Sequence, residues 1–571
     1  MKILSLHSDY IKFKPVKKAL REPEKLTKES EKEKEIKEVL VIFTAVEKRD
    51  EKNPEIVRQY IDNVKDIAQQ VKAKNIVLYP YAHLSSSLAN PEFARQLMID
   101  AESLLKKGKE KFNVVRAPFG YYKEFELRCK GHPLAELSRE IVGEGQKAGK
   151  IEEKYDYKQL LNQISKSQLD TRKLKENDHR IIGQKMNLFS FNETAPGMVF
   201  WHNNGLIIYN ELIKFWREEH EKEGYQEIKT PEILDKKLWQ ISGHWEKYRE
   251  NIFLTEYEKR QFAVKPMNCP GGMLIYKSNP KSYKELPLRM AELGVVHRQE
   301  LSGVLGGLFR VIQFTQDDAH LYCANEQQVE EEIEGIINLI DKFYNKVFNF
   351  PYHVELSTRP EKRIGTDKQW DMAEKILEKV LKNRKMKYKL NKGEGAFYGP
   401  KIDFHITDSL GRTWQTATIQ LDFAMPERFD LEYTDKDNKK KRPIMIHRTV
   451  YGSLERFVGV LLEHTNGHLP TWLAPIQVRI LSFTDRNIDA VKKLEQEFKR
   501  EGIRVDMDTE SNKVEGKVKD AEIMRIPYII VIGDKEEENK TIAVRHKGKL
   551  EFNVSPDKFI NKIKKEIKER E

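Results

Sequence analysis

The sequence predicts a multidomain protein that combines α/β and α+β folds. The chain has 571 residues, enough for three or four domains at about 150 residues each. Residues 1–143 and 473–571 alternate short apolar strands with amphipathic helices, a pattern typical of α/β domains. Residues 250–470 alternate β-like runs with a few helices, which favours an α+β domain between them.

Composition excludes several classes of protein. Apolar residues make up 39% and charged residues 33%, which permits several cores and is too apolar for a disordered chain. No apolar run approaches the ~18 residues of a membrane-spanning helix, and the first residues lack a signal-peptide core. Three cysteines cannot staple so long a chain, so we expect a reducing, cytoplasmic environment. The net charge of +11 permits a polyanionic partner, and a solvated Lys/Glu surface explains it equally well.

A βαβ unit is predicted near the N-terminus. Met1–Leu6 is a short apolar strand, and Val39–Val46 suits a strand buried on both faces. A helical apolar pattern then precedes the strand Ile76–Tyr79, so part of the sheet should be parallel. His7 and His83 follow two of these strands, at the edge where open α/β sheets bind ligands. The pattern indicates a binding site there, although ordinary loop residues explain it too.

Turns and shifts in composition give the remaining boundaries. Residues 144–195 are rich in Lys, Glu and Gln with weak apolar periodicity, which indicates a connector. A long helical pattern follows and stops at Gly224. Leu473-Ala474-Pro475 marks another boundary, after which strands and helices alternate before a basic tail. We therefore divide the chain into residues 1–143, 144–195, 196–472 and 473–571.

Standard nucleotide and metal signatures are missing from the sequence. There is no G-x-x-x-x-G-K-[ST] loop and no G-x-G-x-x-G after a strand, which argues against a phosphate-binding enzyme built on either of those folds. There is also no Cys-x-x-Cys pair, so cysteine spacing alone predicts no metal site.

Residues 292–320 carry an unusual constellation of arginines and acids. Two alternating runs flank a Gly-rich turn, which predicts a β-hairpin with a wide loop. Arg298 and Arg310 offer planar, bidentate donors for phosphate, and Phe314 offers a face for stacking on a purine. A surface hairpin with salt bridges is the alternative. Gln316-Asp317-Asp318 argues against it, because buried acids need partners.

These residues resemble the motifs of class II aminoacyl-tRNA synthetases. Glu292-x-Gly294, Arg298-x-Glu300 and Arg310-x-x-x-Phe314 resemble motif 2 of that class. Thr230-Pro231, after the long helix, resembles motif 1, and the run from Gly452 to Phe457, with its Arg456, resembles motif 3. The three motifs stand in the order that the class requires.

Finer patterns narrow the resemblance to the threonyl-tRNA synthetase family. The catalytic part carries Lys265-Pro266-Met267-Asn268-Cys269-Pro270, Gln316-Asp317-Asp318-Ala319-His320, Tyr398-Gly399-Pro400-Lys401, Trp414-Gln415-x-x-Thr418-Ile419-Gln420 and Ile446-His447-Arg448. The N-terminal part, with Phe119-Gly-Tyr-Tyr-Lys123 and Cys129-Lys-Gly-His132-Pro, resembles the editing domain of the archaeal form. The resemblance covers nearly the whole chain. It implies an N-terminal α/β editing domain, a class II antiparallel-sheet catalytic core and a C-terminal α/β anticodon-binding domain.

The resemblance assigns expected roles to matching positions of the catalytic part. One zinc ion per subunit would be held by Cys269, His320 and His447. Threonine would contact Met267, Gln316, Asp318, Tyr398 and Gln420. ATP, with Mg²⁺, would contact Arg298, Glu300, Arg310, Phe314, Gln415, Thr418 and Arg456, with Arg298 and Arg456 as the catalytic groups. The implied reaction forms threonyl-adenylate and transfers the threonyl group to the 3′ end of tRNA(Thr).

A selectivity argument supports the need for editing. A hydroxyl-binding zinc rejects valine, but serine lacks only a methyl group, worth about 1–3 kcal/mol or roughly 10–200-fold. Hydrolysis of mischarged seryl-tRNA(Thr) at a second site would supply the rest. The resemblance implies that this site uses His83, Tyr122, Lys123 and Glu136. It also implies that Asn512, Glu536 and Arg545 read the anticodon.

Three functional hypotheses remain open on the sequence. The first is a cytoplasmic homodimeric threonine–tRNA ligase with editing, because motif 1 forms the dimer interface in this class. The second is a prolyl or seryl enzyme of the same class, which gives no reason for Cys269, His320 and His447 to occur together. The third is a synthetase-like RNA-binding or regulatory protein without catalysis. Loss of a motif arginine would favour it, but Arg298, Arg310 and Arg456 are all present.

Overall fold

The computed structural model describes residues 1–141, 157–164 and 174–570, apart from residues 21, 86, 109 and 111. The chain divides into two compact units, residues 1–155 and 156–571. Of the predicted connector, residues 144–195, the parts 144–156 and 165–173 lie outside the described residues. No helix among the described ranges is long and apolar enough to cross a membrane.

The first unit is built on a six-stranded mixed sheet in which β1 pairs with β2 on one side and with β5 and β6 on the other. Strands β2, β3 and β4 are parallel, as the βαβ pattern predicts. The strands are β1 (Lys2–Lys18), β2 (Lys34–Ala45), β3 (Asn75–Pro80), β4 (Asn113–Arg116), β5 (Tyr121–Cys129) and β6 (Glu136–Glu140). The helices are α1 (Ile56–Gln70) and α2 (Pro91–Lys107).

The first strand differs from the expectation. It continues to Lys18 rather than ending at Leu6, so His7 lies inside β1 and not at a sheet edge. The continuation is antiparallel to β5, and its charged side chains alternate with the buried Ile11 and Phe13. Because one face of this ribbon is charged, the apolar run that predicted the strand ends before the strand itself does. His83 does follow β3, in a short helical turn after Tyr81.

The second unit is centred on an eight-stranded sheet, with strand order β16-β15-β17-β18-β21-β14-β13-β9. The inner pairs are antiparallel, and the edge strands β9 and β16 pair in parallel with their neighbours. The sheet strands are β9 (Gln226–Glu227), β13 (Leu288–His297), β14 (Gln313–Cys323), β15 (Tyr352–Ser357), β16 (Tyr388–Asn391), β17 (Lys401–Thr407), β18 (Thr413–Asp422) and β21 (Ile444–Thr449).

Helices and smaller strands accompany this sheet in the second unit. The helices are α3 (Tyr157–Ile164), α4 (His179–Lys185), α5 (Asn203–Lys222), α6 (Lys236–Ile241), α7 (His244–Lys247), α8 (Cys269–Lys277), α9 (Glu326–Asp341), α10 (Asp367–Asn383), α11 (Ala424–Arg428) and α12 (Leu454–Thr465). Helices α4, α5, α9, α10 and α12 bury one core against the sheet, and α6, α8 and α11 contribute to a second core. A π-helical turn, Lys342–Val347, extends α9. The smaller strands are β7 (Phe189–Ser190), β8 (Phe200–Trp201), β10 (Ile233–Asp235), β11 (Leu254–Tyr257), β12 (Arg260–Val264), β19 (Tyr433–Thr434) and β20 (Lys440–Lys441).

The predicted hairpin is present. Strands β13 and β14 are antiparallel partners over their whole length and are joined by a loop, residues 298–312, that contains two short 3₁₀ turns. Phe314 therefore lies on a strand, whereas Arg298, Glu300 and Arg310 lie in the loop. This placement frees the three polar side chains from the regular spacing of a strand.

The C-terminal part is a five-stranded sheet with order β23-β22-β24-β25-β26. Its strands are β22 (Val478–Ser482), β23 (Val505–Asp508), β24 (Tyr528–Ile532), β25 (Ile542–His546) and β26 (Lys549–Val554). Its helices are α13 (Ile488–Arg500), α14 (Val514–Ile523), α15 (Asp534–Asn539) and α16 (Pro556–Glu569). The expected basic tail is α16, which buries Phe559, Ile560 and Ile563 against this sheet.

Candidate active site

A cavity of about 520 Å³ opens on the central sheet of the second unit. Its walls include every residue that the sequence assigns to ATP and every residue that it assigns to threonine. The ATP set is Arg298, Glu300, Arg310, Phe314, Gln415, Thr418 and Arg456, and the threonine set is Met267, Gln316, Asp318, Tyr398 and Gln420. Cys269 and His447 also line it.

Cys269, His320 and His447 converge at this cavity from three elements. Cys269 opens α8, and His320 and His447 are direct neighbours on the paired strands β14 and β21. One potential ligand atom from each residue lies within 4.8 Å of the other two, and all three residues are buried. Adjacent strands thus bring together residues that are remote in sequence.

The same three residues fit a zinc ion. His320 Nε2 is buried without a hydrogen-bond partner, an unmet polar atom that a metal ligand would explain. His447 Nε2 hydrogen-bonds to the Asp422 carboxylate at 2.9 Å, an arrangement that orients metal-binding histidines. One thiol and two imidazoles are a donor set that suits Zn²⁺ and leaves a coordination position open.

Two polar pairs border the candidate metal site. The Tyr398 hydroxyl donates to Gln420 Oε1 at 2.5 Å, which fixes the amide of Gln420 beside the cavity. Asn268 Nδ2 lies 3.4 Å from the Asp318 carboxylate. A Cβ atom at position 294 would lie 2.1 Å from Asn268 Oδ1, so the glycine of motif 2 is required by this close approach.

Four arginines line the cavity, and three of them, Arg298, Arg310 and Arg456, belong to motifs 2 and 3. Arg298 packs its guanidinium 5.1 Å from the centre of the Phe314 ring and donates to the Pro266 carbonyl at 3.2 Å. Arg310 pairs with Glu300 at 2.8 Å. Burial, and then the positive charges of Arg298 and Arg310, lower the pKa of Arg456. An anionic ligand would relieve this mutual repulsion.

Two buried acids to which the sequence analysis gave no role hold the cavity walls in place. Asp403 accepts hydrogen bonds from Gln415 Nε2 at 2.6 Å and from Thr418 Oγ1 at 2.9 Å. Asp317 accepts the backbone N–H groups of residues 450, 451 and 452 at 2.8–3.0 Å, at the start of motif 3. Each acid stands in a β-like run, where its charge is the only sequence signal, so the contacts themselves were needed to find its role.

Motif 1 is tied to motif 2 by a buried ion pair. Lys265 Nζ lies 2.9 Å from the Glu292 carboxylate and 3.0 Å from Thr230 Oγ1. Glu292 also accepts the Thr230 backbone N–H at 2.8 Å. Since Lys265 and Glu292 are both almost fully buried, each needs the other for its charge to be tolerated.

The first unit has a cavity of its own, of about 400 Å³. His83, Tyr122 and Lys123 line it among mostly apolar neighbours. Lys123 Nζ donates to the carbonyls of Pro118 and Tyr121 at 3.0 and 2.9 Å, and burial lowers its pKa to about 8. Glu136 does not line this cavity. It lies on the exposed side of β6, next to the Cys129 thiol, so the structure does not bring it to the other three predicted residues.

The three predicted anticodon residues are not brought together either. Asn512 and Glu536 follow the parallel strands β23 and β24, at the carboxyl edge of the C-terminal sheet. Arg545 lies on β25 opposite Ile529, at the other end of β24, and forms an ion pair with Glu522 at 3.3 Å. Arg545 lies away from the other two residues because β25 runs antiparallel to β24, which the sequence analysis did not predict.

Comparison with family models agrees with this architecture. Residues 253–465 match the tRNA synthetase class II core domain (G, H, P, S and T). Residues 1–141 match the Archaea-specific editing domain of threonyl-tRNA synthetase, and residues 477–566 match the anticodon binding domain. The antiparallel sheet with its arginine-lined cavity is thus the core of a class II aminoacyl-tRNA synthetase.

Individual relatives indicate which family of this class the chain resembles. A threonine–tRNA ligase of Caldanaerobacter subterraneus is 54% identical over 394 residues, 69% of this chain and 61% of the relative. One of Clostridium botulinum (strain Loch Maree) is 54% identical over 395 residues, 69% of this chain and 62% of the relative. The chain thus spans about three fifths of these curated relatives.

Solved structures give the same family. The RNA-binding domain of threonyl-tRNA synthetase from Cryptosporidium parvum matches with a TM-score of 0.66 and 39% identity, over 68% of this chain and 98% of that one. A putative threonyl-tRNA synthetase from Aeropyrum pernix matches with a TM-score of 0.61 and 28% identity, over 69% and 97%. The chain belongs to the threonyl-tRNA synthetase family.

Proposed function

We propose that this protein is a threonine–tRNA ligase that activates L-threonine with ATP, transfers it to tRNA(Thr) and hydrolyses mischarged seryl-tRNA(Thr). The observation that carries the proposal is a single cavity that holds both halves of the chemistry. Cys269 and His447, with His320 beside them, border it together with a wall of three arginines. The first group suits an amino acid that carries a hydroxyl, and the second suits a triphosphate.

The arginine wall accounts for the activation step. A carboxylate oxygen of threonine attacks the α-phosphorus of ATP, the bond to the β-phosphate oxygen breaks, and pyrophosphate leaves. The attacking group is already an anion, so the step needs no general base. Arg298 is positioned by Pro266 and Phe314, and it and Arg456 neutralise charge on the phosphates as it shifts. Mg²⁺ bound with ATP would share this neutralisation.

Cys269, His320 and His447 would hold zinc, and Asp422 would orient His447. When bound, zinc supplies positions for the amino and hydroxyl groups of threonine. Asp318 would accept a hydrogen bond from the amino group of threonine, and the Tyr398–Gln420 pair would complete the amino-acid end of the site. Glu300 and Phe314 would contact the adenine, and Gln415 and Thr418, both held by Asp403, would line the adenylate.

The first unit supplies the proposed editing site. Its cavity is separate from the synthetic cavity and contains His83, Tyr122 and Lys123. These residues would hold the seryl-tRNA end and position the water that hydrolyses the ester. The arrangement answers the selectivity problem, because one missing methyl group is worth only about 10–200-fold at the first site. Glu136 also belongs to this proposed site, although it lies on β6 and does not line the cavity.

The remaining assignments complete the proposal. Residues 1–143 form the editing domain, 144–195 the linker, 196–472 the catalytic domain and 473–571 the anticodon-binding domain. Asn512, Glu536 and Arg545 contact the anticodon loop. The protein is a cytoplasmic homodimer assembled through motif 1 at Thr230-Pro231. Sedimentation at micromolar concentration checks the dimer, and a monomer there would contradict it.

ATP–pyrophosphate exchange with each amino acid tests the synthetic activity. Exchange driven by threonine is the expected result. Exchange driven by proline or serine alone would identify a different enzyme of the same class. No exchange, with tRNA binding retained, would instead identify a non-catalytic RNA-binding protein.

Removal of residues 1–143 tests editing. The truncated protein should keep threonine-dependent exchange and should accumulate seryl-tRNA(Thr), which the full chain hydrolyses. Equal levels of seryl-tRNA with and without these residues would remove the editing function from the first unit.

A further inference from the structure

We infer that His179 is a positioning residue that fixes the motif 2 loop, residues 298–312, for ATP binding. His179 opens helix α4, outside all three class II motifs, and its side chain is almost completely buried. The inference deepens the proposed function, because the loop that His179 holds carries Glu300 and Arg310.

Both ring nitrogens of His179 are committed to opposite partners. Leu308 donates its backbone N–H to Nε2 at 2.9 Å, and Nδ1 lies 2.6 Å from the Glu463 carboxylate. An amide N–H can only donate, so Nε2 must be the acceptor and Nδ1 must carry the proton. The neutral imidazole therefore bridges helix α12, which carries Glu463, to the middle of the motif 2 loop.

Glu463, the partner of His179 on α12, is itself held by other residues. Glu463 accepts the His179 backbone N–H at 3.0 Å and also pairs with Arg412. Burial alone would raise the pKa of Glu463, but the hydrogen bonds from His179 and Arg412 lower it overall. Asp178, His179 and Glu463 lie close enough together for a metal. The ring nitrogens are already occupied, however, so the trio is a hydrogen-bonded anchor.

On its other side, His179 contacts residues that line the cavity. The His179 ring packs 4.3 Å from the ring of Phe309, which is stacked on Trp414 at 4.2 Å. The Phe309 carbonyl accepts a hydrogen bond from Arg456 Nε at 3.0 Å. His179 thus fixes the backbone that orients an arginine of the phosphate wall, without touching the cavity itself.

Gly307 shows how closely the loop and the imidazole fit. A Cβ atom at this position would lie 2.2 Å from His179 Nε2, and the backbone φ is +58°. Both conditions demand glycine. One of the glycines of the motif 2 turn is therefore explained by contact with His179 rather than by contact with a nucleotide.

Two substitutions separate the two halves of the bridge. In His179→Asn the amide nitrogen takes the place of Nδ1 and keeps the bond to Glu463, while the Leu308 N–H loses its acceptor. In His179→Gln the amide oxygen reaches the place of Nε2 and keeps the bond to Leu308. His202→Asn is the matched control, since His202 bridges Asn187 and Ser190 at 2.6 and 3.0 Å and does not line the cavity.

The readouts are the KM for ATP in threonine-dependent exchange and amide hydrogen exchange of residues 305–312. We expect H179N to raise the KM for ATP about tenfold or more and to speed exchange of that segment, while H179Q stays within about threefold. The KM for threonine and the zinc content should not change. Equal effects of H179N and H179Q, or wild-type behaviour of H179N, would overturn the inference. If the wild-type protein shows no threonine-dependent exchange, the proposed function fails, and the hydrogen-exchange contrast still decides the role of His179.

Discussion

The two cavities of this chain are built on opposite principles. The cavity of the second unit has fixed charged and polar side chains. Arg298, Arg310 and Arg456 lie on one wall, and the candidate metal ligands Cys269, His320 and His447 lie beside them. The cavity of the first unit is mostly apolar around one buried amine, that of Lys123. The first design suits charged ligands held by fixed donors, and the second suits an ester bond hydrolysed by a group whose protonation is tuned by burial.

The largest expected effect comes from the arginine wall. Arg298→Ala should lower kcat for threonine-dependent ATP–pyrophosphate exchange by about 10³-fold, because it removes a fixed donor from the α-phosphate. Arg260→Ala is the control, since Arg260 is exposed and pairs with Asp235 away from the cavity. Similar exchange rates for the two variants would show that Arg298 does not act on the phosphates, and the proposed contrast between the two cavities would be wrong.

The editing cavity should respond to pH through Lys123. Its pKa of about 8 leaves the amine neutral above that pH, with two N–H groups held by carbonyls and the lone pair free to accept a proton from water. Deacylation of seryl-tRNA(Thr) should therefore rise about tenfold per pH unit below 8 and level off above it. Lys123→Met, the baseline for uncatalysed hydrolysis, should lose about 100-fold. A rate that falls as pH rises through 8 would mean that the ammonium form is active.

Metal binding should depend on the carboxylate of Asp422. In Asp422→Asn the remaining oxygen can still cap α11 through the N–H groups of residues 424 and 425, so the change is confined to the contact with His447. Zinc affinity should fall about 10- to 100-fold in competition with a chelator. Asp435→Asn, at a half-buried position that does not line the cavity, should bind zinc normally. Equal affinity of the two variants would remove Asp422 from the site.

The smallest effect is expected at the amino-acid end of the cavity. Tyr398→Phe removes the hydroxyl that donates to Gln420 and leaves the ring in place. The KM for threonine should rise up to about tenfold while the KM for ATP stays constant. A change in the KM for ATP alone would move Tyr398 to the nucleotide half of the cavity.

Local patterns predicted much of this fold. Apolar alternation and a Gly-rich turn predicted the β13–β14 hairpin, and apolar spacing predicted the long helix before Gly224, which is α5. The end of β1 and all of α16 were missed because their exposed faces are densely charged. In α16, however, Phe559, Ile560 and Ile563 recur at helical spacing, so that signal was available.

The site divides in the same way. Motif contexts predicted Cys269, His320 and His447, which no local spacing connects, and the sheet register then placed the two histidines side by side. Asp403, Asp422 and His179 were not predicted, because each acts through partners that only the fold brings near. Glu136 and Arg545 were predicted from the resemblance, but the fold does not place them beside the residues expected to act with them.

X-ray absorption at the zinc edge tests the central claim most directly. The purified full-length chain should contain one zinc with one sulfur and two imidazole ligands, and added threonine should increase its nitrogen and oxygen coordination. Valine should leave the spectrum unchanged, and Cys269→Ala should lose the metal. A chain that activates threonine without zinc, or a zinc spectrum indifferent to threonine, would contradict the account.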